Sequence, residues 1–313
     1  MLLSAAAIIC FGYFLRAVRW QVLLAPITPA GLTELFATTT VGFAAVFLIG
    51  RMGEIVRPMW LPMRDRRVRP SMAVVTIGME RVFDLLSLVS FFSVSLIWFN
   101  ARPGHDVEYA SIRWAGNLLL GAAVAGVVFL LVYQWKSDPI ISWFARTSDR
   151  SVVPKRLRAI ILSLMRQLAA SLKVFANWKE ILLVSFWTLL LWFAISVPTW
   201  LVLRAFDLPL SFVDSIFVMG VASMGSLVPT PGGAAGAFHA ATAASLLMLG
   251  VPTDTAAAVS IVMHLVYFAP AVIFGLYYFF HGDISIERFR SLLSSENAER
   301  EIESDSPDFV PER

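Results

Sequence analysis

Two apolar segments are interrupted, 34–62 by Ile49-Gly50-Arg51-Met52-Gly53-Glu54-Ile55-Val56-Arg57-Pro58 and 212–250 by Val228-Pro229-Thr230-Pro231-Gly232-Gly233. Non-helical backbone at membrane depth leaves amides and carbonyls without hydrogen-bond partners, so it occurs only where protein or a wet cavity satisfies them. A pair of interrupted segments in the two halves of a chain is a strong indication of a transport site. The two interruptions therefore predict both the fold and the place of the site.

The composition indicates an integral membrane protein. Apolar residues make up 58% of the 313 residues and charged residues 15%, whereas roughly a quarter of the residues are charged in a soluble domain. The chain has room for about six to eight crossings of roughly 20 residues each. We predict an all-α polytopic membrane protein with one domain at 1–290 and a disordered cytoplasmic tail at 291–313, which is rich in serine and glutamate.

Apolar runs and loop charges predict the topology. Uninterrupted apolar runs long enough to span a bilayer lie near 1–24, 72–99, 114–135, 180–203 and 254–280. Basic residues concentrated at 57–69 and 136–179 mark two cytoplasmic loops, with Arg16 and Arg19 as further markers of that side. Each broken segment must then return to the side it came from. We predict two re-entrant or broken helical segments of opposite orientation, as in an inverted repeat, without a convincing residue-by-residue internal match.

Three further features complete this organisation. Residues 150–178 are basic and partly amphipathic, which favours an interfacial helix resting on anionic headgroups. Residues 1–15 lack a basic n-region and a cleavage site, so we assign them to a spanning helix rather than a signal peptide. The chain begins inside this apolar run, which predicts a further segment upstream. The net charge of +3 arises from loop residues, so no nucleic-acid partner is expected.

The second interruption has the chemistry of an anion site. Proline stops one helix, and glycine allows tight or left-handed backbone before an apolar helix restarts after Gly236. Free amides at that restart, reinforced by the helix dipole, favour a phosphate or a carboxylate. The candidate residues are Pro231, Gly232, Gly233 and Gly236. No GK[ST] sequence follows, so nucleotide binding is not expected. The alternative is a structural kink packed against neighbouring helices.

The first interruption carries charges. Arg51, Glu54 and Arg57 are spaced by three and share one face of a helix. The next span contains Glu80, Arg81 and Asp84, and ionisable groups at membrane depth normally pair with each other or face a cavity. We expect Arg51 or Arg57 to pair with Glu80 or Asp84, and Glu54 to pair with Arg81. The alternative is a ring of charges at the cytoplasmic interface that only anchors the topology.

Two histidines lie inside apolar segments. His239 and His264 can each donate to a phosphate or titrate near neutral pH, although a lone histidine hydrogen-bonded between helices is the commoner case. No His, Cys or carboxylate grouping has metal-ligand spacing, and no hydrolase or metalloprotease motif occurs. We therefore predict no metal, no cofactor and no catalytic residues.

Four sequence elements resemble the lysylphosphatidylglycerol synthase transmembrane region, a family of flippase-like membrane proteins. They are Tyr13-Phe14-Leu15-Arg16-Ala17-Val18-Arg19-Trp20, Gly50-Arg51-Met52-Gly53-Glu54-Ile55-Val56-Arg57-Pro58, Glu80-Arg81-Val82-Phe83-Asp84-Leu85-Leu86 and Pro229-Thr230-Pro231-Gly232-Gly233. They occur in the family's order over most of the chain. The resemblance implies a polytopic bundle that handles aminoacylated or glycosylated lipids in the cytoplasmic membrane, as in the multiple peptide resistance factors.

The chain departs from the family's pattern in three respects. The soluble aminoacyl transferase of those relatives has no counterpart here, so the synthase activity is not carried over. Where the family commonly has a glutamate soon after the Pro-Gly-Gly turn, this chain has Ala237-Phe238-His239, which suggests a different headgroup. The family usually has one more helix before Tyr13, which agrees with a segment upstream.

These observations predict a lipid flippase or scramblase-like facilitator in the cytoplasmic membrane, with the C-terminus in the cytoplasm. The headgroup of an anionic, aminoacylated or glycosylated lipid would bind between the two broken segments. Arg51 and Arg57 would neutralise its phosphate, and the acidic residues would hold the arginines or meet an amino group. An alternative is a non-transporting module that presents lipid to a partner glycosyltransferase or aminoacyl-lipid enzyme. A third, a lipid-modifying enzyme, lacks a nucleophile and base at suitable spacing.

Overall fold

The computed structural model describes residues 1–98, 106–149, 178–228 and 231–282, with a few helical positions between 158 and 169. The predicted interfacial helix at 150–178 and the tail at 291–313 fall almost entirely outside these residues. Within them the chain is helical, which confirms the predicted all-α architecture.

Nine α-helices and one 3-10 helix form the described bundle. They are α1 (Leu2–Leu24), α2 (Leu32–Ile49), the 3-10 helix (Gly50–Ile55), α3 (Val56–Arg64), α4 (Pro70–Ile97), α5 (Asp106–Asp149, kinked at Lys136), α6 (Trp178–Ala205), α7 (Phe212–Gly225), α8 (Pro231–Met248) and α9 (Thr253–Phe280). Among the described residues, α1, α2, α6 and α9 are long and apolar enough to cross a membrane. The chain is thus a multi-pass membrane protein.

The predicted spans fall in α1, α4, α5, α6 and α9. Helix α4 has 28 residues but carries Glu80, Arg81 and Asp84 near its middle. Such charges raise the cost of contact with lipid, so they must face protein or a cavity. Helix α2 is an unbroken 18-residue helix, and the interruption begins at Gly50, within the Ile49–Pro58 stretch that the sequence indicated.

The first broken segment is a helical hairpin. Its backbone leaves the α2 direction at Gly50, whose φ is +69°, a value that favours glycine. The 3-10 helix then folds back on α2 so closely that a Cβ on Gly53 would lie 2.3 Å from Val46 N and 2.4 Å from Ala45 C. Further along, the Arg57 side chain lies over Gly42. The contacts run in opposite order along the two arms, so α3 returns antiparallel to α2.

The second broken segment is also a hairpin. A capping box between Ser211 and Asp214 starts α7, and satisfies amides that the first turn leaves unpaired. Where α7 ends, a Cβ on Gly225 would lie 2.6 Å from both Ala237 O and Ala241 Cβ, so α8 returns against α7. Helix α8 begins at Pro231, earlier than the predicted restart after Gly236, although its first residues are irregular.

The helix order repeats along the chain. Helices α1, α2 and α4 begin at residues 2, 32 and 70, and α6, α7 and α9 begin at 178, 212 and 253. A hairpin stands in the same place in each half. The packing is reciprocal as well, because α1 packs on α6, α2 on α9 and α4 on α7. Exchanging the two halves leaves this set of contacts unchanged, as a two-fold relation requires.

Two helix pairs show how the helices of one half run relative to those of the other half. Gly12 faces Ile195 whereas Arg19 reaches Thr188, so α1 and α6 are antiparallel. Helices α2 and α9 are antiparallel too, since the rings of Phe36 and Tyr278 are 6.1 Å apart and those of Phe47 and His264 are 5.8 Å apart. Antiparallel packing of corresponding helices such as α1 and α6 is the arrangement expected of an inverted repeat. Re-entrance of the hairpins into a bilayer stays a prediction.

Candidate functional site

A buried ion cluster joins α1, α3 and α4. Arg19 on α1 is fully buried and donates from Nη1 to Asp84 Oδ1 at 2.6 Å and from Nη2 to Glu80 Oε1 at 3.1 Å. Arg57 on α3 lies 2.7 Å from Glu80 through Nη1 and Oε2. Glu80 and Asp84 are one helical turn apart, so both carboxylates point the same way from α4. The cluster holds two cations and two anions, and its net charge is zero.

Aromatic and hydroxyl groups complete the surroundings of the cluster. The Arg57 guanidinium lies 4.3 Å from the Trp20 ring centroid, and Trp20 donates to Thr76 Oγ1 at 3.0 Å. Trp192 on α6 donates to Asp84 Oδ1 at 3.3 Å. A buried charge is tolerated only when it is paired and hydrogen-bonded. These contacts fix the first hairpin against α4, because Arg57 belongs to the hairpin and Glu80 to the helix.

A cavity of about 390 Å³ lies beside the cluster and between the two hairpins. Its polar wall contains Arg16, Arg81 and Asp84, and its other walls include aromatic rings from both halves of the chain: Tyr13, Phe43, Trp192, Phe238, Tyr267 and Phe268. Within the described residues neither Arg16 nor Arg81 forms an ion pair. The Arg16 guanidinium stands 5.0 Å from the Phe43 ring centroid. The cavity therefore presents two cations that no carboxylate neutralises directly.

A smaller cavity of about 150 Å³ adjoins the first. The two share Phe43, Arg81, Ser226, Leu227 and Phe268. The smaller one reaches both interruptions, since it is lined by Gly50 and Glu54 on one side and by Val228 and Ala234 on the other. The site is thus continuous from one hairpin turn to the other.

The larger cavity opens laterally along α4. Arg81 and Leu85 lie one turn apart, and both line the cavity and are exposed, Leu85 to 59%. Leu227, in the break of the second hairpin, lines both cavities and is 52% exposed. In a membrane such exposed leucines face lipid. The cavity is therefore accessible from the side of the bundle along α4.

The structure brings several predicted residues together. The expected pairing of Arg57 with Glu80 is confirmed, and Asp84 belongs to the same cluster. Glu54 and Arg81 line the same smaller cavity, but Arg81 forms no ion pair within the described residues, so the predicted pairing of the two is not confirmed. The side chain of Arg51 lies outside the described part of the chain.

The predicted anion loop is less completely described. Gly232 has φ +71°, the left-handed backbone expected of glycine here, and Ala234 shares it at +60°. Gly236 is exposed, and a Cβ there would meet nothing within 4 Å. The surroundings of Pro231 and Gly233 lie outside what the structure describes. His239 is half-buried beside His264, so these two histidines form a pair rather than two separate sites.

Two arginines of α1, Arg16 and Arg19, belong to the site although they were not among the predicted site residues. Loop-charge counting treats both as cytoplasmic markers, which is wrong for Arg19, because it is fully buried in ion pairs with α4. The positive-inside rule assumes solvated arginines and cannot distinguish a buried one. The available signal was their spacing of three in an apolar helix, the same spacing that singled out Arg51, Glu54 and Arg57.

Comparison with known proteins identifies the family. The model of the lysylphosphatidylglycerol synthase TM region matches residues 1–275, which include both hairpins, the ion cluster and the two cavities. The chain therefore belongs to this family, and the resemblance seen in the sequence is confirmed. No curated relative and no solved structure matches the chain.

Proposed function

We propose that this member of the lysylphosphatidylglycerol synthase TM region family facilitates the movement of an anionic lipid across the cytoplasmic membrane. The observation that carries the proposal is the laterally open cavity of about 390 Å³ between the hairpins, with Arg16 and Arg81 in its wall. A membrane-depth cavity that admits a headgroup from the side lowers the cost of moving polar groups through hydrocarbon.

The charge balance favours an anionic headgroup. Glu80 and Asp84 are occupied by Arg19 and Arg57, and these four groups cancel. The uncompensated groups at the larger cavity are the two guanidiniums of Arg16 and Arg81, and guanidinium binds phosphate through paired hydrogen bonds. A lysyl headgroup brings an ammonium group that these cations repel. Among the lipid classes that the family suggests, we therefore favour phosphate-bearing anionic lipids over aminoacylated ones.

The shape of the site supports movement between leaflets. The smaller cavity is lined by residues of both hairpin turns and adjoins the larger one, and the helix packing is reciprocal between the two halves. In transporters with inverted repeats, alternating access comes from one repeat moving against the other around a fixed site. A headgroup held at Arg16 and Arg81 would be such a fixed site, and Arg51 and Arg57 would lie on its route along the first hairpin.

Scrambling in proteoliposomes tests the proposal. Purified protein is reconstituted with fluorescent phosphatidylglycerol, phosphatidylcholine or lysylphosphatidylglycerol, and transbilayer movement is followed by chemical quenching of the outer leaflet. We expect phosphatidylglycerol to move fastest. Arg81→Gln and Arg16→Gln each remove a charged hydrogen-bond donor, so each should slow this movement by about tenfold or more. Arg81→Lys should retain part of the rate.

Arg204→Gln is the matched control. Arg204 is an exposed arginine near the end of α6, above the Trp200 ring, and it lines neither cavity. This variant should move lipid at the wild-type rate. Equal rates for Arg81→Gln and wild type would sink the assignment of the site. No movement of any lipid by folded protein would favour the alternative function, a module that presents lipid to a partner enzyme.

A further inference from the structure

A pair of histidines stands directly behind the wall of the larger cavity. His239 on α8 and His264 on α9 pack edge to face, with ring centroids 4.8 Å apart and an interplanar angle of 81°. Phe238 and Phe268 contact His264 at centroid distances of 5.2 and 4.7 Å, and both line the cavity. The pair is thus one aromatic layer away from the proposed headgroup position.

The pair has the chemistry of a proton acceptor. His239 Nε2 is buried and has no hydrogen-bond partner within the described residues. Thr242, on the same face of α8, is fully buried and its hydroxyl is likewise unpartnered there. His264 is 5% exposed, and its ring is flanked by Phe47 as well as by the two phenylalanines of the wall. Ring faces stabilise an imidazolium through cation–π contacts.

The unpartnered atom of the pair is Nε2 of His239, and the charged and titratable groups around it are as follows. Helix α7 carries Asp214, which is engaged in its own capping box. Helix α9 contributes Tyr267, whose hydroxyl is bonded to Thr199 and to the Ile195 carbonyl. Glu34 lies in the first turn of α2 and is paired with Arg64. The other charged groups belong to the turn of the first hairpin and to the cavity walls: Arg51 and Glu54 on the 3-10 helix, and Arg16, Arg57, Arg81 and Asp84 at the cavities.

We infer that His239 and His264 bind one proton between them and that this proton strengthens the binding of an anionic headgroup in the cavity. The proton comes from water in the cavity and bonds to Nε2 of His239, which has no other partner within the described residues, and this gives the pair one positive charge. A second proton is disfavoured because two like charges would lie about 4.8 Å apart. The inference rests on the proposed function. It adds a coupling between lipid binding and protons, which the charge pattern of the cavity alone does not provide.

Linkage gives the direction of the effect. An anionic headgroup stabilises the protonated pair, so the protonated pair must bind that headgroup more tightly by the same factor. Acidification on the side where lipid binds therefore tightens the binding of the headgroup, and it speeds transport when binding of the headgroup limits the rate. A zwitterionic headgroup has no net charge for the protonated pair to attract, so the rate of its movement should depend little on pH.

The test compares histidine variants in two assays. The first follows scrambling of phosphatidylglycerol, a phosphodiester whose charge is constant between about pH 5.5 and pH 8, the range in which histidine titrates. We expect wild type to be roughly fivefold faster or more at the acidic end. His239→Gln and His264→Gln should remove this dependence. His281→Gln is the control, because His281 is exposed at the end of α9 and stacks on Tyr277.

The second assay does not depend on transport. Protein labelled with ¹⁵N-histidine is titrated in phosphatidylcholine nanodiscs by NMR, where His239 and His264 should titrate as one coupled pair. Substitution of either should shift the titration of the other, and His281→Gln should not. Independent or absent titration of the two rings overturns the inference, as does a pH dependence of the rate that persists in His239→Gln. If wild type moves no lipid, the proposed function fails and the NMR titration alone decides the proton site.

Discussion

The two hairpins have the same place in the two halves of the chain but contribute different chemistry. The first, from α2 through α3, carries Arg51, Glu54 and Arg57 at and after its turn, and Arg57 ties it to Glu80 on α4. The second, formed by α7 and α8, contributes backbone, phenylalanine and histidine to the site. One repeat thus holds the fixed charges and the other holds groups that can titrate. Breaking each hairpin separately tests this division.

The largest effect is expected from Arg19→Ala. The substitution leaves Glu80 and Asp84 buried with Arg57 as the remaining cation of the cluster. Breaking a buried pair by removing one partner costs about 3–5 kcal/mol. We expect a large fall in the melting temperature of the detergent-solubilised protein, and a loosened first hairpin with the second retained, detectable as faster amide exchange in 50–64 than in 231–248.

A second substitution makes this prediction sharper. In Arg19→Ala/Asp84→Asn the cluster again has zero net charge, since Arg57 faces only Glu80. Part of the lost stability should therefore return. If Asp84→Asn lowers the stability of Arg19→Ala further, packing rather than charge accounts for the role of Arg19.

A medium effect is expected from the glycines that close the two hairpins. Gly53→Ala places a Cβ 2.3 Å from Val46 N, and Gly225→Ala places one 2.6 Å from Ala237 O. Backbone cannot move aside as a side chain can, so each should cost roughly 1–3 kcal/mol. Gly78→Ala is the control, since its Cβ would meet nothing within 4 Å and alanine favours the α4 helix.

The two alanine variants should also differ in function. Gly53→Ala displaces the arm that carries Arg57, so it should disturb the ion cluster and slow scrambling together with the loss of stability. Gly225→Ala displaces α8, so it should alter the pH dependence of the rate more than the rate itself. If the two variants have the same scrambling rate and the same pH dependence of that rate, the two hairpins do not have different roles.

The sequence predicted the features that depend on local pattern. Apolar runs, the two interruptions and the charges spaced by three were all visible, and the Arg57–Glu80 pairing followed from the cost of an isolated charge at membrane depth. The partnership of Arg19 with Asp84 was not visible, because it joins residues 65 positions apart and depends on how α1 packs against α4. Loop charges predicted that the two broken segments have opposite orientation, as in an inverted repeat, but which helices pack across the two halves depends on the tertiary structure and was not visible.

Gly53 illustrates a further limit of local pattern. Its motif marked it as part of the interruption, and the sequence assigned it no role of its own. In the structure the positive φ belongs to Gly50, whereas Gly53 lies against the backbone of α2. The absence of a side chain matters at Gly53 because two backbone segments touch there, and contact between segments cannot be read from either segment alone.

The smallest effect is expected where each hairpin leads into its following long helix. After the first, Asp65 accepts from Arg67 Nη2 at 2.7 Å and from Arg67 N at 3.1 Å, and these hydrogen bonds hold the pKa of the Asp65 carboxyl below its ordinary value. After the second, Gly250 turns the chain with φ +75°, which needs no ionisable group. Only the first connection should therefore respond to pH.

Asp65→Asn measures that response. A depressed carboxyl pKa stabilises the folded state fully above the unfolded value of about 3.9, and this contribution is lost as the pH falls through the lower folded value. Wild type should melt slightly above Asp65→Asn at neutral pH, and the two curves should converge as the pH is lowered. Because Arg67 is largely exposed, solvent screens the pair and the difference should be the smallest of the series. A difference in melting temperature that stays constant down to acidic pH would show that the Asp65 turn acts through its shape rather than its charge, and the ionisable contrast between the two connections would then disappear.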